Sequence, residues 1–197
     1  MKNKLPQNKK AIVWLCGGHF INDIYTGVLN PIMPFIAAKI GITMAIATII
    51  LTVSHIFSSL LQPLFGYFAD NIVKRSFIFW GLILSSIFIP LSALAHNPFI
   101  LVLFIIFGSI GSSLFHPQAL GFVSKFADKE NTGKAMAVFV AMGTLGYSFG
   151  PIISSAITQF LGMPRMPLMT ILGILWAFLM FAFVPKLSLS EPVISKI

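Results

Sequence analysis

The sequence predicts an all-α membrane protein with six transmembrane helices and both termini on the cytoplasmic side. Of its 197 residues, 57% are hydrophobic and only 9% are charged, with a mean hydropathy of +0.93. A soluble domain carries about 25% charged residues. The apolar segments repeatedly reach the roughly 17–25 residues that a transmembrane helix needs. Composition, segment length and the placement of the basic residues all indicate the same fold class.

Six long apolar segments divide the chain, and formal charges are almost absent from them. The first segment contains only Asp23, and the others contain no Asp, Glu, Lys or Arg. The longer segments imply tilted helices or helical extensions beyond the bilayer. The predicted organisation is a basic N-terminus at 1–10, spans at about 11–38, 40–69, 77–95, 97–124, 135–164 and 166–185, and a cytoplasmic tail at 186–197.

The basic residues orient the bundle. With both termini inside, 11 of the 13 Lys and Arg residues are cytoplasmic, and only Lys39 and Arg165 are outside. Short-loop Lys and Arg determine membrane topology in this way. The net charge of +8 is spread between apolar segments and not clustered on one face. It therefore indicates a lipid bilayer and not nucleic acid as the partner.

The first span carries an unusual group of polar side chains. His19 and Asp23 are four residues apart and Asn22 is three from His19, so all three fall near one helix face. An ionisable group at membrane depth costs at least about 2.5 kcal/mol and usually faces a cavity or a partner. This face is the leading candidate for function.

Two further histidines lie inside apolar segments. His116 is nine residues from Lys125, as His19 is from Lys10, which places both roughly 13 Å from the cytoplasmic boundary. His55 has Ser58, Ser59 and Gln62 at helical spacing after it. We interpret these histidines as cavity-lining, and packing with satisfied hydrogen bonds is the alternative for each.

The loop after the second span carries a signature of its own. Gly66 is followed by Asp70 four residues later, and then by the basic pair Lys74 and Arg75. This spacing resembles the loop motif of the major facilitator superfamily of secondary transporters, in which it implies a cytoplasmic gating loop. The family usually has a basic residue where Asn71 stands and a glycine where Val73 stands. The plain alternative is a stop signal with positive-inside charges.

The fifth span carries a second signature. Small residues at Gly143, Gly146 and Gly150, followed by Pro151, give a smooth face and permit a bend. The alternative is simple tight packing. The order Gly-x-x-x-Gly-Pro resembles the fifth-helix motif of superfamily members that exchange substrate for protons, which implies a bending helix.

One branch of that superfamily is the most similar. The His-x-x-Asn-Asp face and the Gly-Ser-Ser-x-Phe-His-Pro sequence ending at Pro117 resemble the fosmidomycin resistance protein family of drug exporters. The resemblance covers about 11–185 and corresponds to the amino-terminal six-helix half. The family commonly has glutamate where Gln118 stands, and an amide cannot release a proton. Gln118 is therefore expected only to line the path.

The resemblance implies proton-coupled export of a small molecule by alternating access, in the bacterial inner membrane. Asp23 would carry the proton with His19 as its neighbour, and His55 and His116 would line the path with Asn22. The superfamily places substrate between two six-helix halves. The second half would be a separate chain or a second copy, and a fragment or split product is the favoured explanation.

The alternatives are a non-transporting membrane scaffold or an inactive remnant, with an intramembrane enzyme as a distant third. We find no nucleophile motif, phosphate loop or metal-spaced cluster of His and Cys, and Cys16 is the single cysteine. We therefore expect no enzyme activity, no cofactor and no metal.

Overall fold

The computed structural model describes residues 8–71 and 75–186, without side-chain placement at 69–71. In this part of the chain the regular structure is helical throughout. The prediction for Lys74, and those for residues 1–7 and 187–197 of the two tails, fall outside the described residues. Six α-helices are present in the described ranges, at Lys9–Ile40 (α1), Met44–Asn71 (α2), Arg75–Leu91 (α3), Pro98–Phe126 (α4), Thr132–Phe160 (α5) and Thr170–Phe183 (α6).

The connection between α5 and α6 differs from the predicted one. The chain leaves α5 at Phe160, and Gly162 adopts a left-handed backbone with φ +84°. A 3₁₀ segment, Met163–Met169, precedes α6 and contains Pro164 and Pro167. Proline has no N–H for the α-helical ladder, so the regular helix begins only after these prolines.

Five helical segments in the described ranges are long and apolar enough to cross a membrane. Helix α1 is not among them, although it has 32 residues. Its polar side chains, including Asn22, Asp23 and Asn30, lower its mean hydropathy. The count of six spans and the side on which the termini lie therefore stay predictions.

Side chains at the helix ends explain where several helices begin and end. The side chain of Asn8 accepts a 3.0 Å hydrogen bond from the Ala11 N–H and caps α1. Gly41, with φ +73°, ends the same helix in the left-handed conformation that glycine adopts easily. Asn97 caps α4 by accepting a 2.9 Å bond from the Ile100 N–H, with Pro98 in the first turn.

Helix α1 forms the centre of the bundle. It contacts all five other helices and packs most extensively against α5. Its fully buried side chains include Leu15, Tyr25 and Ile36, which lie along nearly its whole length. The buried polar side chains of α1, His19 and Asn22, therefore face other helices. This packing determines where the polar face of the sequence ends up.

Glycines allow α1 and α5 to approach backbone to backbone. A Cβ atom at Gly146 would overlap the carbonyl group of Phe20, and one at Gly27 would overlap the carbonyl of Tyr147. Gly150 lies equally close to the backbone of Ile24. Small residues at such positions are the usual means of close helix packing in membranes.

Candidate functional site

Three ionisable side chains from two helices meet at the bundle centre. Nε2 of His19 lies 3.2 Å from Oδ2 of Asp23, as their helical spacing predicts. Nε2 of His116, from α4, lies 3.0 Å from Oδ1 of the same carboxylate. We call these three residues the triad. The exposed fractions of the side chains are 7% for His19, 15% for Asp23 and 25% for His116.

Both imidazoles are held by backbone carbonyls on their outer edge. Nδ1 of His19 donates to the carbonyl oxygen of Phe139 at 2.7 Å. Nδ1 of His116 donates to the carbonyl oxygen of Ser112, also at 2.7 Å. A carbonyl oxygen only accepts hydrogen bonds, so each Nδ1 must carry its proton. Each Nε2 is consequently the atom available to face Asp23.

This arrangement determines how many protons the triad needs. Each contact between an Nε2 and a carboxylate oxygen requires one proton, on either the nitrogen or the oxygen. The fully hydrogen-bonded triad therefore holds two such protons. When one is removed, a nitrogen lone pair faces an oxygen lone pair at about 3 Å in a buried site, which is unfavourable. The triad can thus store and release protons, and its geometry depends on their number.

Asn22 connects the triad to two neighbouring helices. It is fully buried, and its amide Nδ2 donates to Oδ1 of Asp23 at 3.0 Å and to Oγ of Ser112 at 3.1 Å. Its Oδ1 accepts a 2.8 Å bond from Oγ of Ser85 on α3. Both hydrogen-bonding groups of the amide, Nδ2 and Oδ1, are therefore bonded to protein. Because these bonds reach α3 and α4, Asn22 fixes the register of α1 against both helices.

A small cleft with about 50 Å³ of space for water-sized molecules lies beside this network. Ser112 lines it and also touches the triad, because its Oγ lies 3.3 Å from Nδ1 of His116. His55 is exposed and lines the opposite part of the cleft. The structure therefore places His55 beside the cleft and not in the triad. The remaining lining residues that carry hydroxyl groups are Thr26, Ser54, Ser58 and Ser109.

Gly143 forms one wall of the triad. A Cβ atom there would overlap the imidazole of His19 and would lie 2.8 Å from Oδ2 of Asp23. The sequence grouped Gly143 with Gly146 and Gly150 as a smooth helix face. In the structure all three lie against α1, but only Gly143 borders the ionisable groups. Pro151 lies further along α5, inside an uninterrupted helix.

Gln118 is close in sequence to His116 but has no described contact with the triad. It is 1% exposed, and neither its Oε1 nor its Nε2 has a hydrogen-bond partner among the described residues. A buried amide without partners is costly, by about 1–3 kcal/mol for each group. Its placement on the path stays a prediction.

The predicted gating loop is only partly described. Lys74 and the side chain of Asp70 lie outside the described residues, and a Cβ atom at Gly66 would lie 3.8 Å from Pro117, an ordinary van der Waals distance. Arg75 donates from Nη1 to the carbonyl oxygen of Val184 at 2.9 Å and stacks on Phe181. In this structure Arg75 therefore holds the end of α6 against the start of α3, away from the triad.

Sequence reasoning missed three groups that complete the site. Ser112, Ser85 and the carbonyl of Phe139 position the triad and Asn22. Ser112 belongs to the Gly-Ser-Ser-x-Phe-His-Pro sequence but was given no role, and the other two were not singled out. Ser112 is four residues before His116, so helical spacing gave a signal for it. The other two reach the site only through packing of α3 and α5 on α1, for which the sequence has no local signal.

A bundle of apolar helices around buried polar groups and a cleft is the architecture of a membrane transport protein. Comparison with protein families agrees: the family described as Major Facilitator Superfamily matches residues 15–195. The chain belongs to the major facilitator superfamily, whose members are multi-pass membrane transporters, and it fits the amino-terminal half of that fold.

Curated relatives are transport proteins of greater length. The riboflavin transporter RibZ of Clostridioides difficile is 27% identical over 188 residues, covering 95% of this chain and 41% of the relative. The fosmidomycin resistance protein of Escherichia coli is 31% identical over 140 residues, covering 71% and 34%. The transporter YfnC of Bacillus subtilis is 26% identical, covering 77% and 36%. The chain thus spans about two-fifths or less of each relative.

Proposed function

We propose that the chain takes part in proton-coupled secondary transport of a small molecule by alternating access, with Asp23 as the proton carrier. The observation that carries this proposal is the buried carboxylate of Asp23 between the Nε2 atoms of His19 and His116. An intramembrane carboxylate paired with histidines is the kind of group that proton-driven transporters use. Membership of a transporter family supports the same function.

The coupling follows from the proton count of the triad. With two protons in place, α1 and α4 are held together through Asp23 and His116. Loss of one proton turns an attractive contact into a repulsive one, which favours separation of the two helices. Gly146 and Gly150 keep α5 in contact with α1 while α1 and α4 separate, and Pro151 permits α5 to bend.

The substrate site is the cleft beside the triad. Asn22 and His116 both donate toward Oγ of Ser112, so the Ser112 hydroxyl proton has no acceptor within the described ranges. A cleft occupant with a carbonyl, carboxylate or phosphoryl oxygen would accept it. His55 and Ser109 provide further donors on the cleft wall. The substrate is therefore a small polar compound, and export in exchange for protons is the proposed direction.

Fosmidomycin and riboflavin are the first compounds to test, because two relatives carry them in their names. A second six-helix half, as a separate chain or a second copy, would complete the cleft. The bacterial inner membrane is the proposed location, since these relatives are bacterial proteins.

The experiment compares the chain with its Asp23→Asn variant in everted vesicles. Asparagine keeps the size of the side chain but cannot take up or release a proton. We expect proton-driven accumulation of the test compound with the parent chain and a fall to background with Asp23→Asn. The matched control is His96→Gln, an exposed residue in the loop before α4, which should transport like the parent.

A second measurement does not depend on the choice of compound. Nitrogen-15 NMR of the reconstituted chain reports the protonation of each histidine ring nitrogen. We expect protonated Nδ1 at His19 and His116 and a change at Nε2 of both in Asp23→Asn. Unchanged flux together with unchanged Nε2 signals would remove Asp23 from the role. Absence of flux with the well-expressed parent chain would favour a scaffold function.

A further inference from the structure

The triad has the donor composition of a metal site. His19, Asp23 and His116 each offer one ligand atom, and these atoms lie within 4.8 Å of one another. In a tetrahedral site, ligand atoms about 2.0–2.1 Å from a zinc ion are themselves about 3.3 Å apart. The contacts of 3.0 Å and 3.2 Å with Asp23 are close to that spacing, although they go to its two different oxygens, and the three ligand atoms start at most 4.8 Å apart. Small side-chain adjustments therefore suffice for an ion to sit between them.

The outer hydrogen bonds of the two imidazoles point to the same conclusion. Histidines that bind metals almost always donate their second ring N–H to a carbonyl or carboxylate, which fixes the tautomer. His19 does so with the Phe139 carbonyl, and His116 with the Ser112 carbonyl, both at 2.7 Å. When Nε2 carries no proton, its lone pair therefore points toward the carboxylate side of the ring, where the ion would sit.

The charge of the site also suits a divalent cation. With neutral imidazoles the triad carries −1 from Asp23, and a divalent ion changes this to +1. Two protons in the hydrogen-bonded contacts give the same +1. A bound divalent ion thus leaves the buried site with no more net charge than the doubly protonated triad already has, so the burial cost of charge is comparable.

The donor set selects the kind of ion. Two imidazoles and one carboxylate suit Zn²⁺, Co²⁺ and Ni²⁺, whereas Mg²⁺ and Ca²⁺ prefer oxygen ligands only. Gly143 has no side chain to fill the space beside His19 and Asp23, and His116 is 25% exposed. The missing side chain at Gly143 lets α5 pack directly on the triad, and the exposure of His116 gives an ion a path of entry.

We propose that His19, Asp23 and His116 bind one divalent first-row transition-metal ion, of the type of Zn²⁺, Co²⁺ or Ni²⁺, with His19 and His116 coordinating through Nε2. No cluster with metal-ligand spacing is visible in the sequence, because His116 lies 93 positions from Asp23. This site goes beyond the transport proposal, since an ion can bind whether or not the chain moves protons.

The test is a titration of the purified full chain with Co²⁺, using a non-histidine affinity tag. Visible d–d absorption reports a bound ion and its geometry. We expect one Co²⁺ per chain and weakening of at least about tenfold in each of His19→Gln, Asp23→Asn and His116→Gln. His96→Gln is the matched control, because His96 is exposed and lies outside both the triad and the cleft. It should bind like the parent.

A second variant keeps the test independent of folding. Gly143→Ala removes no ligand but places a methyl group against His19, so it should also weaken Co²⁺ binding. Size-exclusion profiles and helical circular dichroism establish that each variant is folded. Binding that survives in all three ligand variants, or that is lost in His96→Gln, overturns the proposal. So does the absence of binding of Co²⁺, Ni²⁺ and Zn²⁺ to the folded parent.

The metal result is separable from the transport result. Co²⁺ binding is measured without substrate or proton gradient, so failure to bind leaves the comparison of the parent with Asp23→Asn in vesicles unaffected. Conversely, loss of flux in Asp23→Asn without any metal binding to the parent supports the proton role alone.

Discussion

Asn22 shows how a single residue ties the candidate site to the fold. Its amide bonds Asp23 and Ser112 on one side and Ser85 on the other, and it has no exposed surface. A buried amide of this kind is stabilising only while every partner is present, because an unpaired group in a low-dielectric interior costs more than a bond gains. Site geometry and local stability therefore depend on the same hydrogen bonds.

The first prediction tests this dependence with two adjacent serines. Ser85→Ala removes the donor to Asn22 and leaves a buried oxygen unpaired, so we expect a loss of about 1–3 kcal/mol in the free energy of unfolding. Ser86→Ala is the control. Ser86 is also fully buried on α3, but it bonds only the Ile83 carbonyl of its own helix.

The measurement is denaturant unfolding of the detergent-solubilised chain, followed by circular dichroism. We expect Ser86→Ala to cost clearly less than Ser85→Ala. Equal losses for the two variants would mean that the bond to Asn22 contributes little beyond the local one.

Among the helices, the contact between α1 and α5 is the closest. It depends on Gly27, Gly146 and Gly150, at which the backbones touch without intervening side chains. The same contact brings the Phe139 carbonyl to His19 and Gly143 to the triad. Close packing of these two helices is therefore what builds one side of the site.

The second prediction concerns Gly146→Ala. The added methyl group overlaps the Phe20 carbonyl, and because backbone cannot move aside easily, we expect a loss of about 1–3 kcal/mol in stability. Gly121→Ala, within α4, meets nothing within 4 Å and is the control. It should be neutral or stabilising, since alanine is favoured over glycine in a helix by up to about 1 kcal/mol.

Thermal unfolding of the two variants in the same detergent gives the comparison. A Gly146→Ala chain as stable as the parent would show that α1 and α5 separate readily. In that case the two helices would not be the rigid pair that the glycine contacts imply.

Over the described part of the molecule, the outward faces of α2 and α5 carry polar as well as apolar side chains. Only 11% of the span in α2 and 22% of that in α5 is buried, and their exposed residues include His55, Ser59, Thr144 and Ser148. Exposed large side chains on α6, such as Leu175, are apolar. Lipid suits the α6 face, whereas polar groups at membrane depth favour contact with protein or a cavity. We therefore propose that a second six-helix unit covers α2 and α5.

The third prediction concerns the whole chain and is a cross-linking pattern between two differently tagged copies. In a Cys16→Ala background, Ser59→Cys on one copy and Ser148→Cys on the other should cross-link in native membranes. Leu175→Cys, on the lipid-facing side of α6, is the matched control and should not. Cross-linking through Leu175→Cys at the same yield would contradict this assignment of faces. Capture of a different chain through Ser59→Cys would identify the second unit as a separate protein.

Much of the fold follows from local features of the sequence. Apolar segment length, the capping residues Asn8 and Asn97, and Gly41 locate helices with little tertiary information. The α5–α6 connection was less predictable, because two prolines and a left-handed Gly162 produce a 3₁₀ segment inside an apolar stretch. Hydropathy does not distinguish a 3₁₀ segment from an α-helix, so the sequence predicts a span here but not where its α-helix begins.

The sequence by itself determined that His19, Asn22 and Asp23 share a helix face, because residues three or four apart on an α-helix are neighbours. It also determined the membrane composition and the transporter family motifs. Only the tertiary structure decided that His116 joins Asp23 and that Gly143 leaves space for the triad. It also decided that Arg75 holds α6. The residues that meet are far apart in the chain: Asp23 and His116 by 93 positions, and Arg75 and Val184 by 109. Packing of whole helices, and not local spacing, brings them together.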